Sequence, residues 1–377
     1  MFFDNASTTQ IDKRIMKDFE KINNELFYNP GGLYSFGRDT AAFIEKCRDS
    51  IKNVIGASSQ DMIVFTGSAT EANNLAIMGT VKKNTRKILI SSGEHPSVYN
   101  VALELKNRGY NVEFLPLEKD GTVSVRIFEE YMTKDVDFVS IMYTSNETGA
   151  INDIAGLVEV ARDANPKVIF HCDAVQAAGK FDINVDDLGI DMLTISAHKI
   201  HGMKGVGCLY VKKNTQLKPI IYGGGQEKGY RSGTENTLGI YSLSRALEIA
   251  SEHLNDNYNY VLGLKNKLLD ILKDSGLVYT VHSVETASPY ILSVSFIGCR
   301  AETILNMLSD CGVMVSNGSA CSSKKSGNRI LEAMSVPKDE IESNIRISFS
   351  RDNTIEEVDN MSQILISVVK EYLAKVR

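Results

Sequence analysis

Between about residues 50 and 212 the chain alternates short β-branched runs with amphipathic stretches, and few architectures accept that pattern. Runs at 62–66, 87–91, 112–115, 138–142, 168–172, 192–196 and 207–211 have the length and composition of strands. Apolar residues at helical spacing occupy 69–79, 98–108, 124–132 and 153–164. The alternation predicts an α/β fold in which helices cover a large, mostly parallel sheet. A long helical region at 236–272 then leads into a second pattern. Strands near 290–296, 313–316 and 345–350 alternate there with helices near 301–311 and 354–373, which predicts a smaller α+β domain. No internal repeat, low-complexity tract or proline-rich linker interrupts either part.

The chain's 377 residues suffice for a sizeable core in one or two domains. A net charge of −6 argues against a general affinity for nucleic acid or for anionic membrane. Cys47, Cys172, Cys208, Cys299, Cys311 and Cys321 are scattered, with no Cys-x-x-Cys pair. That is neither a disulfide framework nor a metal site, so a reducing cytoplasm is the expected compartment and no metal is expected. Asp4 follows the initiating Met1 too closely for a signal peptide, and no apolar run has membrane-spanning length.

Ligands of open α/β sheets gather beyond the carboxyl ends of the strands, and several unusual segments fall there. Lys199 follows the apolar run 192–196, where a partly desolvated amine suits Schiff-base chemistry; the bland alternative is a strand-end surface charge. Thr66 to Asn74 offers small residues and a helix N-terminus to an anion, although Ser68 and Glu71 also fit a capping box. Asp173 ends another strand, where a buried carboxylate calls for a cation such as a pyridinium nitrogen; capping a helix is the common alternative. His95, between a strand and a helix, can stack on a flat ring or simply be a satisfied turn histidine. Cys321 lies among small residues in 316–327 and is expected to be exposed, unlike Cys172 and Cys208. Arg346 sits within a strand and needs an anionic partner, which a carboxylate matches with both oxygens.

Together these segments resemble the class V aminotransferase group of pyridoxal-phosphate enzymes, most closely the NifS/IscS-like cysteine desulfurases. The likeness runs nearly end to end, through Asp4–Thr9, Asn29–Gly32, Phe65–Leu75, Glu94-His95, Ser145–Gly149, Asp173–Gln176, Ser196–Lys199, Arg231–Thr234, Gly318–Cys321 and Asn344–Arg346. It implies the type I pyridoxal-phosphate fold in a homodimer. The large cofactor domain would be 15–255, and 1–14 with 256–377 the small domain, carrying a mobile cysteine loop at about 316–328. Lys199 would hold pyridoxal 5'-phosphate as a Schiff base, with Asp173 on the ring nitrogen, Gln176 on the ring hydroxyl and His95 stacked on the ring. Ala69, Thr70, Ser196 and His198 would take the phosphate, and Thr234 would reach in from the neighbouring subunit. Asn146 and Arg346 would grip the substrate carboxylate, Asn146 also lying against the cofactor.

The activity implied is removal of sulfur from L-cysteine, giving L-alanine and a persulfide on Cys321. The catalytic residues would be Lys199, Cys321 and His95, and the sulfur would pass to a protein acceptor such as an iron–sulfur scaffold or a tRNA-thiolating enzyme. Two departures stand out. The family's Asn-Pro-Ser-Ser-x-His segment reads Asn29-Pro-Gly-Gly-Leu-Tyr34 here, so its histidine is replaced, and Gly67-Ser-Ala-Thr70 stands for Ser-Gly-Ala-Thr. Rival activities are a selenocysteine lyase, a kynureninase-like hydrolase or a transaminase, none of which needs a mobile thiol. A non-catalytic assembly protein on the same fold is opposed by the intact set of Lys199, Asp173, His95 and Cys321.

Overall fold

The seven buried runs become seven strands of one sheet: β1 (Met62–Thr66), β2 (Lys87–Ser91), β3 (Val112–Leu115), β4 (Val136–Ser140), β5 (Ile169–Asp173), β6 (Met192–Ser196) and β7 (Gly207–Val211). The computed structural model describes residues 1–317 and 328–376. The strand order is β1-β7-β6-β5-β4-β2-β3, parallel from β6 to β3, with β7 antiparallel to both neighbours. Every side chain of β6 and β7 is buried, which is why these strands read as unbroken apolar runs rather than as alternation. Helices Ala69–Thr80 and Pro96–Asn107 cover one face around Val64, Leu75, Ile90 and Leu209. Ser35–Val54, Val125–Tyr131, Ile154–Ala164 and Thr237–Glu252 close the other face around Ile51, Phe128, Phe170 and Leu243.

The predicted 236–272 helix is two helices, Thr237–Glu252 and Leu254–Asp274, because His253 leaves helical geometry at φ −129° and ψ 27°. Beyond it, β8 (Tyr279–Val281), β9 (Ile291–Phe296) and β10 (Asn344–Ser348) form an antiparallel sheet in the order β10-β9-β8. The expected strand at 313–316 makes only isolated bridges, Met314 to Phe2 and Ser316 to Arg346, too few for a ladder. Helices Leu254–Asp274, Ala301–Asp310 and Ile355–Val376 bury a second core against this sheet. Phe3, fully buried, belongs to that core, so the N-terminal segment is anchored there before it crosses to the large sheet. No helix among the described residues is long and apolar enough to cross a membrane.

Because β1, β2, β4, β5 and β6 share one direction, Thr66, Ser91, Ser140, Asp173 and Ser196 end at the same sheet edge. His95, Asp173, Lys199 and the segment 66–74 lie at or just after these strand ends, whereas Arg346 lies in β10 of the smaller sheet.

Candidate active site

Asp173, at the end of β5, is 5% exposed. Its Oδ1 accepts from the Val175 amide at 3.0 Å and its Oδ2 from Asn73 Nδ2 at 2.8 Å. The same Asn73 amide donates to Ser97 Oγ at 2.8 Å, and that hydroxyl meets His95 Nδ1 at 2.8 Å. His95 caps helix Pro96–Asn107, its Nδ1 accepting from the Ser97 amide at 3.1 Å. A neutral ring held this way carries its proton on Nε2. Burial holds the imidazole below its ordinary value, and the nearby Asp173 charge works against that shift. The turn-histidine and catalytic readings of His95 are therefore compatible: the cap fixes the tautomer and leaves Nε2 for chemistry. Asn73 lies within the 65–75 motif, where nothing in the sequence says that it would bridge two helices to β5.

Lys199 lies in the 3-10 turn Ala197–Lys199 directly after β6. Its Nζ donates to Ala6 O at 2.6 Å and to Ser7 O at 2.7 Å. Gln176 Nε2 donates to the same Ala6 carbonyl at 2.8 Å. His198 Nδ1 faces Thr8 Oγ1 at 3.2 Å, and its backbone oxygen accepts from Thr9 Oγ1 at 3.0 Å. Burial first, then the charges of Lys199 and Lys204, push the His198 imidazole down to about 4, so it is neutral at physiological pH. The N-terminal segment 4–9 thus ties together side chains that follow β5 and β6, in part through backbone carbonyls that carry no sequence signature.

Ser196 Oγ is buried and has no hydrogen-bond partner among the described residues. Ser196 pairs with Gly207, which pairs in turn with Thr66 of β1. Gly207 has the Ser68-Ala69 peptide against it: a Cβ there would lie 2.9 Å from Ser68 C and 3.0 Å from Ala69 N. The orphaned hydroxyl therefore adjoins the N-terminus of helix Ala69–Thr80, whose first turn includes the exposed Thr70. An unpaired buried hydroxyl next to open helix amides suits a phosphate. Ser68 Oγ caps the helix by accepting from Glu71 N at 3.1 Å, as a capping box requires. Glu71 departs from the box by reaching Gly67 N at 2.9 Å and pairing with Arg231 at 2.7 Å. That ion pair fastens the glycine-rich segment before Thr234, which is itself exposed.

Arg346, 4% exposed in the middle of β10, has the anionic partners its position demanded. It pairs with Asp4 at 3.0 Å and Glu147 at 3.5 Å, donates to Asn146 O at 2.7 Å and to Ser7 Oγ at 2.8 Å, and keeps a buried Nε without a partner among the described residues. Asn146 Nδ2 donates to Glu147 Oε1 at 2.6 Å, and Asn146 Oδ1 is buried with no partner among the described residues. Burial pushes the Glu147 carboxyl up to about 7, against the pull of Arg346. Unsatisfied groups on both Asn146 and Arg346 mark a place for a polar ligand. Cys321 lies outside the described residues.

A family model described as aminotransferase class-V matches residues 1–361. The chain is 36% identical to cysteine desulfurase IscS 1 of Archaeoglobus fulgidus over 373 residues, 98% of this chain and 97% of that one. Among solved structures, a NifS-like protein superposes with a TM-score of 0.93 at 33% identity, covering 98% of this chain and 99% of its own. A structure titled SspA in complex with cysteine matches with a TM-score of 0.82 at 30% identity, over 94% of this chain and 99% of its own. The chain belongs to the class-V aminotransferase family, on the branch of the IscS and NifS cysteine desulfurases. Enzymes of this family work with pyridoxal phosphate.

Proposed function

We propose that this cysteine desulfurase uses the sheet-edge site to take sulfur from L-cysteine, with pyridoxal 5'-phosphate held by the residues just described. The observation that carries the proposal is the convergence of two hydrogen-bond chains on the 173–176 turn. One runs from His95 through Ser97 and Asn73 to Asp173, the other from Gln176 through Ala6 to Lys199.

When bound, pyridoxal phosphate supplies an electron sink for the α-carbon of an amino acid. Lys199 would provide the amine that holds the cofactor through its aldehyde carbon, and its Nζ would move the proton at the substrate α-carbon. Asp173, oriented by Asn73, holds the proton on the ring nitrogen; Gln176 meets the ring hydroxyl and His95 covers the ring face. Ala69, Thr70, Ser196 and His198 take the phosphate, with Thr234 of a second copy completing it. Asn146 and Arg346 receive the substrate carboxylate, which replaces part of what Asp4 and Glu147 now give Arg346. Cys321, as thiolate, attacks the substrate sulfur. The carbon–sulfur bond breaks with its electron pair returning to carbon, which is then protonated to alanine, and the transferred sulfur remains on Cys321 as a persulfide.

A homodimer is supported by exposed apolar side chains that a monomer leaves uncovered. Phe27 is 66% and Leu33 93% exposed, beside Phe36, in the connection between the first two helices. A protein sulfur acceptor in the cytoplasm completes the reaction. We divide the chain into a cofactor domain, 15–255, and a small domain made of 1–14 and 256–377 that brings Arg346 and Cys321.

The test is to load the purified protein with pyridoxal phosphate, reduce it with borohydride and map the modified peptide. The label is expected on Lys199, and Lys199→Ala is expected to take up none and to release no alanine from cysteine. Label on another lysine, or unchanged turnover in Lys199→Ala, contradicts the proposal.

A further inference from the structure

Lys180 stands one turn beyond Gln176, has no part in the chemistry above, and is only 8% exposed. Its Nζ donates to Gln176 Oε1 at 2.8 Å, its one hydrogen-bond acceptor among the described residues, and lies 5.4 Å from the centroid of the Tyr290 ring. A buried lysine without a carboxylate partner is costly and calls for a reason.

The hydrogen bonds supply one. Ala6 O can only accept, so the Gln176 amide must turn its NH2 towards it and its oxygen towards Lys180. Ala6 O also accepts from Lys199, so the two lysines are joined through Lys180–Gln176–Ala6–Lys199. Both lysines line one cavity of about 30 Å³, together with Thr9, Gly179, His201 and Tyr290, room for a water or two. The charged groups around Lys180 are of its own sign, Lys199 and Arg346. Arg351 and His201, across the cavity, are met by Asp12 and Asp352. Burial, followed by the charges of Lys199 and Arg346, pushes the Lys180 ammonium down to about 7.

We propose that Lys180 is a positioning residue for the cofactor site. It locks the Gln176 amide so that one N–H stays available to the cofactor, and in its protonated form it favours the unprotonated Lys199 nitrogen. The proposal rests on the assignment of Lys199 and Gln176 to the cofactor made above.

The experiment is a pH titration of the cofactor's visible absorbance in wild-type, Lys180→Met and Lys180→Arg proteins loaded with pyridoxal phosphate. Apoprotein melting and steady-state kinetics on L-cysteine accompany it. Removing a cation favours the protonated nitrogen, so the midpoint of Lys180→Met should rise by about one pH unit. Its kcat should fall about tenfold while KM stays within about twofold, the pattern of a group that acts on the reacting centre and not on substrate binding. Lys180→Arg, with the cavity to receive its larger head group, should restore the midpoint to within about 0.3 unit. A Lys180→Met midpoint within about 0.2 unit of wild type overturns the proposal, as does a midpoint that Lys180→Arg fails to restore. If Lys180→Met does not fold, Lys180→Gln, which keeps an N–H donor without the charge, gives the same decision: an upward shift supports the proposal and no shift overturns it. Wild-type protein that takes up no pyridoxal phosphate overturns the parent assignment together with this one.

Discussion

His171 sits inside the large sheet with its Nδ1 2.9 Å from Ser140 Oγ and its Nε2 3.0 Å from Thr194 Oγ1. Among the described residues no carboxylate faces it, and burial pushes its imidazole down from 6.5 to about 3. Below about pH 6.5 the unfolded chain binds a proton there that the folded chain refuses, so stability is lost as pH falls from that value towards the folded one. Glu147 works in the opposite sense: its carboxyl, raised to about 7, favours the fold at low pH. A comparison with His171→Gln removes that term, because both proteins keep Glu147. Between about pH 6.5 and about pH 4.5, wild type should lose about 2–3 kcal/mol more unfolding free energy than the variant. Urea melts across that range check it; parallel curves for the two proteins would mean that His171 titrates normally. At this scale the sequence marked the ionisable residues but not their settings. Asn73 and Glu147 owe their roles to partners 24 to 199 residues away, and Lys180 to a Gln176 amide that the distant Ala6 carbonyl orients, which residue type does not report.

Helix Ala69–Thr80 begins where β1 delivers the chain onto Gly207 of β7. Everything that a Cβ at Gly207 would strike within 3.0 Å is backbone: Ile195 O at 2.8 Å, Ser68 C at 2.9 Å and Ala69 N at 3.0 Å. Gly207→Ala must therefore lift the helix N-terminus off the sheet, an overpacking that costs about 1–3 kcal/mol. If that N-terminus holds the phosphate, affinity for pyridoxal phosphate should fall about tenfold, measured by titrating the apoprotein. Unchanged affinity would separate the helix from phosphate binding. The strands were the most legible elements, because a parallel strand buried on both faces is a continuous apolar run bounded by polar residues. Less legible was the break at His253, where apolar spacing continues on both sides of a residue whose backbone alone leaves the helix. The segment at 313–316 has the composition of a strand, but its partners meet it at single points. Helices Lys13–Glu25 and Ser35–Val54 are not among the expected helices, although Ile15, Phe19 and Ile22 and Ile44, Cys47 and Ile51 recur at helical spacing.

Two cores and a shared N-terminal segment make up the whole molecule, and Phe3 and Ala6 in the second core set where the Ala6 and Ser7 carbonyls stand over Lys199. The aromatic group at the far side has no such cover: Phe27 stacks on Tyr28 at 4.1 Å and Tyr28 on Phe36 at 4.8 Å, with Leu33 projecting beside them. Contiguous exposed apolar surface of this kind marks an interface. Wild-type protein should sediment as a dimer, and the Leu33→Glu, Phe36→Glu double variant as a folded monomer with greatly reduced cysteine turnover. A monomeric wild type, or a dimeric and fully active double variant, would remove the second copy from the site. Central to the proposed function is the transfer of sulfur from cysteine to Cys321 by groups that Lys199 and its neighbours would organise. The direct measurement is a single turnover of cofactor-loaded protein with ³⁵S-labelled L-cysteine, counting alanine released and label retained on each peptide. One alanine per active site with the label on Cys321, lost on reduction and absent from Cys321→Ser, is the expected result. Alanine and sulfide formed by Cys321→Ser at the wild-type rate, or label on another cysteine, would contradict it.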